Sequence, residues 1–274
     1  MGKCIVITGA GGVLCSCFAR ALAADGHKIA LVNRTYEKAA RVQREIAASG
    51  GAAKAYAANV LDKDALQKVR DAIVKDFGPC DALVNGAGGN HPSCTTDREF
   101  LEADDSPARE GLNFFSLSQD GFARVFELNV QGTVLPTQVF SADMTGRKGC
   151  CVVNISSMAA FRPLTKTPAY AAAKAAVSNF TAWLAVHFAP MGIRVNAIAP
   201  GFFMTEQNRH LLFSKDGAPA PRTGKILRHT PMGRFGAPEE LVGTLRWLID
   251  DNASGFVTGT VIPVDGGFSA YSGV

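Results

Sequence analysis

The side chains best suited to chemistry in this sequence are a tyrosine and a lysine four residues apart, Tyr170 and Lys174. In a helix, residues at this spacing lie on one face, so the two side chains can interact. A neighbouring ammonium favours the phenolate, which predicts that Lys174 lowers the pKa of Tyr170 from its usual value of about 10. A phenol tuned in this way can donate or accept a proton near neutral pH, so the pair indicates acid–base catalysis.

Two further polar residues lie where such a site would need them. Ser157 follows the apolar run CVVNIS, which predicts a buried strand, and Asn129 lies in the helical stretch ELNVQGT. Open α/β sheets bind ligands at the carboxyl ends of their strands, so a serine hydroxyl at this position is well placed to contact a substrate. The catalytic candidates are therefore Asn129, Ser157, Tyr170 and Lys174.

A glycine cluster after the first predicted strand, TGAGG at 8–12, opens a predicted helix. Glycines let the backbone approach a pyrophosphate at a helix N-terminus, so this context predicts a dinucleotide site. The alternative is an ordinary glycine-rich turn between a strand and a helix. A second glycine turn follows the strand that contains Leu83. It predicts cofactor contact at Asn85, Gly86 and Ala87, and the alternative is a flexible turn after a buried strand.

The second predicted strand ends in Asn33 and Arg34, where an NAD site usually carries an acid that binds the adenosine ribose. An amide still bonds a hydroxyl but does not repel a 2′-phosphate, and Arg34 can pair with that phosphate through charge-assisted hydrogen bonds. The alternative for Arg34 is a solvated arginine at a strand end. The sequence predicts NADP or NAD as the cofactor, with NADP favoured.

These motifs fall on an alternation of β-branched and Ala-rich segments. Strands are predicted near 3–8, 28–33, 53–58, 81–85, 149–156, 193–198 and 257–262, and helices near 13–25, 35–48, 62–77, 121–145, 168–190 and 238–250. The alternation is typical of an α/β fold, here one Rossmann-like doubly wound domain over 1–274 with a parallel sheet of about seven strands and helices on both faces. Two long connections, 86–120 and 200–234, are predicted to be substrate loops.

Composition argues against several other classes of protein. Lysine and arginine total 28 against 24 acidic residues, and the charges are interspersed, which argues against a nucleic-acid partner. The sequence has no run of 18 apolar residues and no secretion signal, so we expect no membrane partner. Seven cysteines without C-x-x-C spacing favour free thiols, a cytoplasmic location and no metal site.

The predicted helix at 168–190 is apolar nearly all round, whereas a helix with one face in water usually carries a polar stripe. Burial against a second subunit would explain the pattern and, with the helix near 238–250, would give a homotetramer or homodimer. The alternative is a central helix buried within the monomer.

Together these residues resemble one known family. TGAGG, NGAG at 85–88, Asn129, Ser157, Y-x-x-x-K at 170–174 and PGFFMT at 200–205 are similar to the short-chain dehydrogenase/reductase family over nearly the whole chain. The resemblance implies that Tyr170 is the acid/base, Lys174 binds the nicotinamide ribose and tunes Tyr170, Ser157 orients the substrate carbonyl, and Asn129 holds a water in a proton relay.

One departure from the family is plain. Its glycine motif is T-G-x-x-x-G-x-G, and the second and third glycines fall here on Val13 and Cys15. In the family, Thr205 would touch the nicotinamide carboxamide, and Asn59 and Val60 would lie beside the adenine. The full set of expected cofactor residues is Thr8, Gly9, Gly11, Gly12, Val13, Leu14, Asn33, Arg34, Asn59, Val60, Asn85, Gly86, Ala87, Tyr170, Lys174, Pro200, Gly201, Phe203 and Thr205.

Both long connections also resemble those of family members that act on hexuronates, in the segments NGAGGNHP and APGFFMTEQNR. This implies a sugar-acid substrate and reversible hydride transfer between D-fructuronate and D-mannonate. Arg162 or Arg209 could hold a carboxylate bidentately, or either could be a surface arginine. The remaining substrate candidates, which could instead cap their loops, are Asn90, His91, Gln207 and Asn208.

Two alternatives to this function stay open. The substrate could be another polyol, aldonate or oxoacyl compound, because one scaffold hosts many substrates. The chain could also be a dinucleotide-sensing module without turnover, which Val13 and Cys15 would favour and the four catalytic candidates disfavour.

Overall fold

The computed structural model describes residues 2–204 and 221–273. The strands are β1 (Cys4–Thr8), β2 (Lys28–Asn33), β3 (Ala52–Ala57), β4 (Ala82–Asn85), β5 (Cys151–Ile155), β6 (Arg194–Pro200) and β7 (Val261–Val264). The α-helices are α1 (Val13–Ala24), α2 (Tyr36–Ala48), α3 (Lys63–Phe77), α4 (Gln119–Phe126), α5 (Gly132–Phe140), α6 (Pro168–Phe188), α7 (Pro221–His229), α8 (Val242–Ile249) and α9 (Asp251–Ser254).

The described strands form one sheet in the order β3-β2-β1-β4-β5-β6-β7, and every neighbouring pair is parallel. The predicted fold class is therefore confirmed. The strand order reverses between β1 and β4, where Thr8 pairs in register with Asn85. In open parallel sheets this is where a crevice forms at the carboxyl ends of the strands.

Two hydrophobic layers hold helices on the two faces of the sheet. Successive strand residues point to opposite faces. Ile5 packs in the layer that contains Phe18 of α1, together with α2 and α8, whereas Val6 packs in the layer that contains Phe140 of α5, together with α3 and α6. Phe18 and Phe140 are fully buried. Each such side chain contributes about 1.5–3 kcal/mol relative to an exposed one, so these layers fix the crevice above them.

The helix predicted at 121–145 is interrupted. It begins at Gln119, because the Ser118 side chain accepts a hydrogen bond from the Gly121 N–H (3.2 Å) and caps α4. A π turn over Glu127–Gln131 separates α4 from α5, and a 3-10 turn over Ser141–Met144 follows α5. Inserted π turns of this kind occur often at functional sites, and this one contains Asn129.

Three other predicted segments differ from the structure. The last strand is Val261–Val264 rather than 257–262, because Gly259 has a φ of +79° and the Val195 N–H bonds the Thr258 hydroxyl (3.0 Å), which keeps 257–260 irregular. The helix predicted at 238–250 starts with a 3-10 turn, and α8 begins at Val242. The connection 200–234 contains α7, whose Ile226 is buried.

The first long connection, here called the β4–α4 loop (86–118), is irregular apart from 3-10 turns at Pro92–Cys94 and Phe114–Ser116. Asp97 closes it on itself, because its N–H bonds the Leu112 carbonyl and its carboxylate accepts from the Leu112 N–H, both at 2.7 Å. The Thr96 N–H bonds the Lys166 carbonyl (2.9 Å), which ties this loop to the segment between β5 and α6.

Three features of composition can be compared with the structure. All seven cysteines are buried and free of disulfides. Among the described residues, no group of histidine, cysteine and acidic side chains could hold a metal ion. In the same part of the chain, the helices lack the combination of length and apolar character that a bilayer crossing requires.

Candidate active site

A cleft of about 680 Å³ lies at the carboxyl ends of β1, β2, β3 and β4. Ten of the predicted cofactor residues line it: Gly9, Gly11, Gly12, Val13, Asn33, Arg34, Asn59, Val60, Gly86 and Ala87. Six further residues that the sequence did not single out complete its walls: Thr35, Lys38, Arg41, Ala58, Gly88 and Leu128. The cleft is therefore built largely from residues that the glycine motifs predicted.

Glycine at position 9 brings two turns of this cleft into contact. Gly9 has a φ of +65°, and a Cβ there would lie 2.9 Å from both the Ala87 nitrogen and the Gly86 carbonyl oxygen. The Gly12 N–H bonds the Gly9 carbonyl (2.9 Å), and Gly12 is the N-cap of α1 without any side-chain cap. The first amides of α1 thus lack a side-chain partner, which suits them to an anionic group such as a pyrophosphate.

Cys15, which stands where the family has a glycine, fits beside the turn that follows β4. A Cβ added to Gly86 would lie 2.1 Å from the Cys15 sulfur, so the thiol fills the space beside that glycine. Cys15 is buried, and burial raises the pKa of its thiol to about 12. The cysteine therefore acts as a small core residue, and the glycine turn keeps its shape without the family glycine at this position.

The Asn33 side chain joins the glycine turn to the end of β2. Its Oδ1 accepts from the Gly11 N–H (3.3 Å), and its Nδ2 donates to the Thr35 carbonyl (2.8 Å). The exposed Arg34 lies in the cleft wall with Lys38 and Arg41. This end of the cleft is therefore cationic, and its wall carries no carboxylate among the described residues, which suits phosphate groups.

Thr8 and Asn85 have side chains directed into the protein rather than into the cleft. The fully buried Thr8 hydroxyl accepts from the N–H groups of Gly86 (3.1 Å) and Ala87 (3.3 Å). The Asn85 amide donates to the Thr137 hydroxyl and to the Asn154 Oδ1, both at 2.9 Å. These two side chains hold the strand ends that shape the cleft. The Asn154 contact was missed, although a polar residue inside the apolar run CVVNIS was a signal for it.

The other predicted cofactor residues lie elsewhere. Leu14 is half-buried against the core layer on the α1 face. Pro200 ends β6, and a Cβ on Gly201 would lie 2.6 Å from the Asp265 Cα, so that glycine permits close packing of the β6 and β7 ends. Phe203 is buried. The predicted residues Thr205, Gln207, Asn208 and Arg209 lie outside the described residues.

Tyr170 and Lys174 lie on one face of α6, as their spacing predicted. The Lys174 Nζ is 5.8 Å from the centre of the Tyr170 ring and donates to the Ile155 carbonyl (2.8 Å) at the end of β5. Ser157 follows the same strand, its hydroxyl accepts from the Ala159 N–H (3.2 Å), and it lies close enough to Tyr170 to influence the pKa of that phenol. Strand β5 and helix α6 thus bring these predicted catalytic candidates together.

Burial shifts the proton affinities of this pair in opposite directions. It raises the pKa of Tyr170 above its usual value, and Ser157 opposes that shift only in part. Burial also lowers the pKa of Lys174 from 10.5 to about 8. The net shift of the Tyr170 pKa is therefore upward rather than downward as expected, because desolvation of the phenolate is its largest cause. Tyr170 consequently keeps its proton at neutral pH.

Asn129 is fully buried in the π turn and fixes the start of the β4–α4 loop. Its Nδ2 donates to the carbonyls of Gly89 (2.7 Å) and Val125 (2.8 Å), and its Oδ1 accepts from the Gly89 N–H (3.2 Å). A Cβ on Gly88 would lie 2.7 Å from the Asn129 Oδ1 and 3.1 Å from the Lys174 Nζ. Gly88 therefore allows Asn129 and Lys174 to approach the same point of the loop.

The described substrate candidates mostly serve their own loops. The Asn90 Nδ2 donates to the Thr95 hydroxyl (2.9 Å), and the His91 Nδ1 accepts from the Ser93 N–H (3.3 Å) at the start of a 3-10 turn. Loop capping, one of the two alternatives for Asn90 and His91, is thus what these bonds do. Arg162 is exposed just after the 3-10 turn that follows Ser157.

A family model described as short chain dehydrogenase matches residues 3–214. This chain belongs to the short-chain dehydrogenase family. Two similar proteins are an uncharacterized oxidoreductase of Haemophilus influenzae, 57% identical over 99% of this chain and 95% of that protein, and the uncharacterized oxidoreductase UxuB of Bacillus subtilis, 54% identical over 100% and 97%.

A solved structure is also similar to this short-chain dehydrogenase. It comes from Haemophilus influenzae, carries the provisional name D-mannonate oxidoreductase and contains bound NAD. The two chains are 57% identical with a TM-score of 0.96, over 99% of this chain and 96% of the other. Family membership makes this chain an NAD(P)-dependent oxidoreductase.

The cleft of this short-chain dehydrogenase fits a nicotinamide dinucleotide. Gly9 and Gly11 leave no room for side chains in its floor, since a Cβ on Gly11 would lie 2.5 Å from the Lys38 Cβ. The uncapped start of α1 offers backbone donors to the pyrophosphate, and Asn59 and Val60 line the far wall. Gly88 also lines the cleft, and a Cβ on this glycine would lie 3.1 Å from the Lys174 Nζ. The cofactor cleft therefore adjoins the Tyr170 and Lys174 pair.

Proposed function

We propose that this short-chain dehydrogenase interconverts D-fructuronate and D-mannonate by hydride transfer with a nicotinamide cofactor. The observation that carries the chemistry is the placement of the buried Lys174, whose Nζ lies 5.8 Å from the centre of the Tyr170 ring and beside Gly88 of the dinucleotide cleft. The similarity to the Haemophilus structure provisionally named D-mannonate oxidoreductase supports the choice of substrate.

In this proposal each residue acts on the substrate oxygen or on the cofactor. The cofactor, when bound, supplies or accepts the hydride. Ser157 donates a hydrogen bond to the substrate carbonyl and so polarises it. Tyr170, which keeps its proton at neutral pH, donates it to the oxygen during reduction and is left as the phenolate. In the oxidation direction, Tyr170 first loses its proton to solvent, and the phenolate then accepts the proton of the substrate hydroxyl. Lys174 binds the nicotinamide ribose with its ammonium, and Asn129 holds the loop that carries Gly88 and Gly89.

The cofactor is proposed to be NADP as well as NAD. Asn33 presents an amide instead of a carboxylate at the end of β2, so nothing there repels a 2′-phosphate. Arg34, Lys38 and Arg41 add positive charge to the same wall of the cleft. The bound NAD in the Haemophilus structure supports the use of NAD by this chain too.

A second copy of the chain is the proposed partner, in a homodimer or homotetramer. On α6, Trp183 is 58% and Val186 is 78% exposed, although both are apolar. Phe180, Trp183 and His187 form a stacked row along this face. Exposed apolar surface of this kind is characteristic of an interface. Trp247 of α8, the other helix predicted at the interface, is also exposed. Seven free, buried cysteines support a reducing compartment such as the cytoplasm.

Steady-state assays of D-mannonate oxidation and D-fructuronate reduction, each with both cofactors, test this function. Turnover of both sugar acids supports it. Turnover of another polyol, aldonate or oxoacyl compound, with none of D-mannonate, would reassign the substrate within the family. Cofactor binding without turnover of any compound in such a panel would favour the dinucleotide-sensing alternative.

A further inference from the structure

One ion pair joins the two long connections that follow β4 and β6. The Lys225 Nζ on α7 lies 2.6 Å from the Glu99 carboxylate in the β4–α4 loop. Both segments follow the carboxyl ends of their strands, at the edge of the sheet where the catalytic candidates lie. The pair therefore connects two loops that border the same site.

Two more cations influence the pKa of the same carboxylate. The hydrogen bond from Lys225 is the main cause of a lowered pKa at Glu99, and the charges of Arg222 and Lys166 lower this pKa further. Within residues 2–204 and 221–273, neither Arg222 nor Lys166 forms an ion pair. One carboxylate thus stands among three cations that come from two different segments of the chain.

A recess of about 210 Å³ lies beside the Glu99 carboxylate. Glu99, Lys166, Leu164 and Pro168 are among the residues that line it. Leu164 packs in the same hydrophobic cluster as Tyr170, and Pro168 lies in the first turn of the helix that carries Tyr170. The recess and Tyr170 are therefore joined through Leu164 and the first turn of α6.

The other charged side chains that line the recess, Arg98 and Asp105, form ion pairs. Arg98 pairs with Asp104 (2.5 Å) and lies 3.5 Å from Asp105, which is itself 3.4 Å from Arg109. Their cations and carboxylates balance within the β4–α4 loop. Among the described residues that line the recess, Lys166 is therefore the cation without an ion pair.

The backbone also holds Lys166 in an unusual position. Its φ is +75°, and among the described residues no other non-glycine residue has a positive φ. Non-glycine residues rarely adopt this conformation, and it persists only where the surroundings enforce it. Here the hydrogen bond from the Thr96 N–H to the Lys166 carbonyl (2.9 Å) contributes to that constraint.

We propose that Lys166 and Lys225 bind the carboxylate of the substrate. Glu99 is the internal carboxylate that occupies this cationic cluster, and the substrate carboxylate competes with it. This inference rests on the proposed function in taking the substrate to be a hydroxy acid. It assigns the acid group to residues other than Arg162, whose side chain is exposed.

The inference is tested by binding D-mannonate and its uncharged amide, D-mannonamide, to protein saturated with NADH, measured by calorimetry. NADH cannot oxidise the alcohol, so binding is measured without turnover. The wild type should bind D-mannonate at least tenfold more tightly than the amide, because hydrogen bonds to charged groups are stronger than neutral ones. Lys166→Met and Lys225→Met should each weaken D-mannonate binding about tenfold and leave amide binding unchanged.

Lys54→Met is the matched control, because Lys54 also forms one exposed ion pair, with Asp76 (2.8 Å), but on a different part of the molecule. It should change neither affinity, whereas Glu99→Gln should tighten D-mannonate binding. Lys225 is more than half exposed, so its variant is expected to fold normally. Equal wild-type affinities for the acid and the amide would overturn the inference, as would an unchanged preference in both lysine variants.

Failure of this inference is distinguishable from failure of the proposed function. A wild type that oxidises D-mannonate, while both lysine variants keep the wild-type preference for the acid, would retain the proposed reaction without this carboxylate site. A wild type that prefers D-mannonate to the amide through these lysines, but oxidises it with neither cofactor, would retain the site and remove the proposed reaction.

Discussion

The sulfur of Cys15 occupies the space left open by Gly86, such that a Cβ on that glycine would lie 2.1 Å from Sγ. The contact joins the first helix to the turn after β4, at the point where the strand order reverses. A side chain in place of one family glycine is thus accommodated by a glycine in a neighbouring turn. The departure from the family motif is consequently compatible with an intact cleft.

Replacement of Gly86 by alanine should therefore destabilise the chain through its contact with Cys15. Gly86→Ala is expected to lower the free energy of unfolding by about 1–3 kcal/mol, the usual cost of overpacking. Cys15→Ala should relieve part of this loss, because the Cys15 Cβ would lie 3.7 Å from the new Cβ. Urea unfolding of both single variants and the double variant measures the coupling. Strictly additive effects of the two substitutions on the free energy of unfolding would contradict a direct contact between positions 15 and 86.

Removal of the Tyr170 hydroxyl should abolish most of the activity. Tyr170→Phe is expected to lower turnover by roughly a hundred- to ten-thousand-fold, because the ring stays but the transferable proton is lost. NADH fluorescence should show that the variant still binds cofactor. Near-normal turnover in this variant, with a confirmed substrate, would mean that another group transfers the proton.

The burial of Lys174 predicts a pH dependence of stability in the cofactor-free chain. Its folded pKa of about 8 lies below the unfolded value of 10.5, so the folded chain binds fewer protons than the unfolded chain between these values. Stability therefore rises with pH across this window, and the destabilisation is fully present below about pH 8.

Relative to the wild type, Lys174→Met should lose on the order of 3 kcal/mol of unfolding free energy as the pH rises through that window. Urea unfolding at several pH values measures this difference. Lys28→Met, which replaces an exposed lysine at the start of β2, should keep a constant difference from the wild type. A constant difference for Lys174→Met as well would show that burial does not perturb this ammonium.

A carboxylate at position 33 should change the cofactor preference. Asn33→Asp is expected to raise the ratio of kcat/KM for NAD to that for NADP, because a carboxylate accepts from ribose hydroxyls and repels a 2′-phosphate. Aspartate keeps the acceptor for the Gly11 N–H but loses the donor to the Thr35 carbonyl, so thermal unfolding is measured alongside. An unchanged ratio would indicate that the 2′ position is recognised by other residues.

Charges on the exposed face of α6 should separate the subunits. Trp183→Glu combined with Val186→Glu is expected to give monomers in sedimentation experiments at micromolar concentration, whereas the wild type is expected to be dimeric or tetrameric. Val74→Glu is the control, because Val74 is an exposed apolar residue on α3 (38%) outside the proposed interface. A monomeric wild type would rule out the proposed interface at this concentration.

The strands and most helices could be predicted because each follows from a local hydrophobic pattern. Strand β7 was displaced because side-chain bonds of Thr258 and the φ of Gly259 determine where pairing starts, and a hydrophobic pattern records neither. Helix α7 was missed because its sequence is polar and contains Gly224.

The site was predictable where chemistry depends on spacing, as for Tyr170 and Lys174, or on glycine turns. Asn33 lines the cleft as expected, although its amide also bonds the Gly11 N–H and the Thr35 carbonyl, whereas the Asn90 amide bonds the Thr95 hydroxyl of its own loop. The pKa of Tyr170 was predicted in the wrong direction, because sequence spacing shows the neighbouring charge and not the burial. Contacts between distant segments, such as Cys15 with Gly86 and Lys225 with Glu99, produce no periodic pattern in the sequence and so could not be predicted from it.

The seven buried cysteines give the chain a set of internal reporters of local opening. Burial raises the pKa of the thiols of Cys4, Cys15 and Cys151, which lie in β1, α1 and β5, so each should react with an alkylating reagent only when its own element exposes it. Cys94 reports separately on the β4–α4 loop. The order in which these thiols are modified would therefore rank the mobility of the glycine turn, the sheet and the β4–α4 loop within one unlabelled molecule.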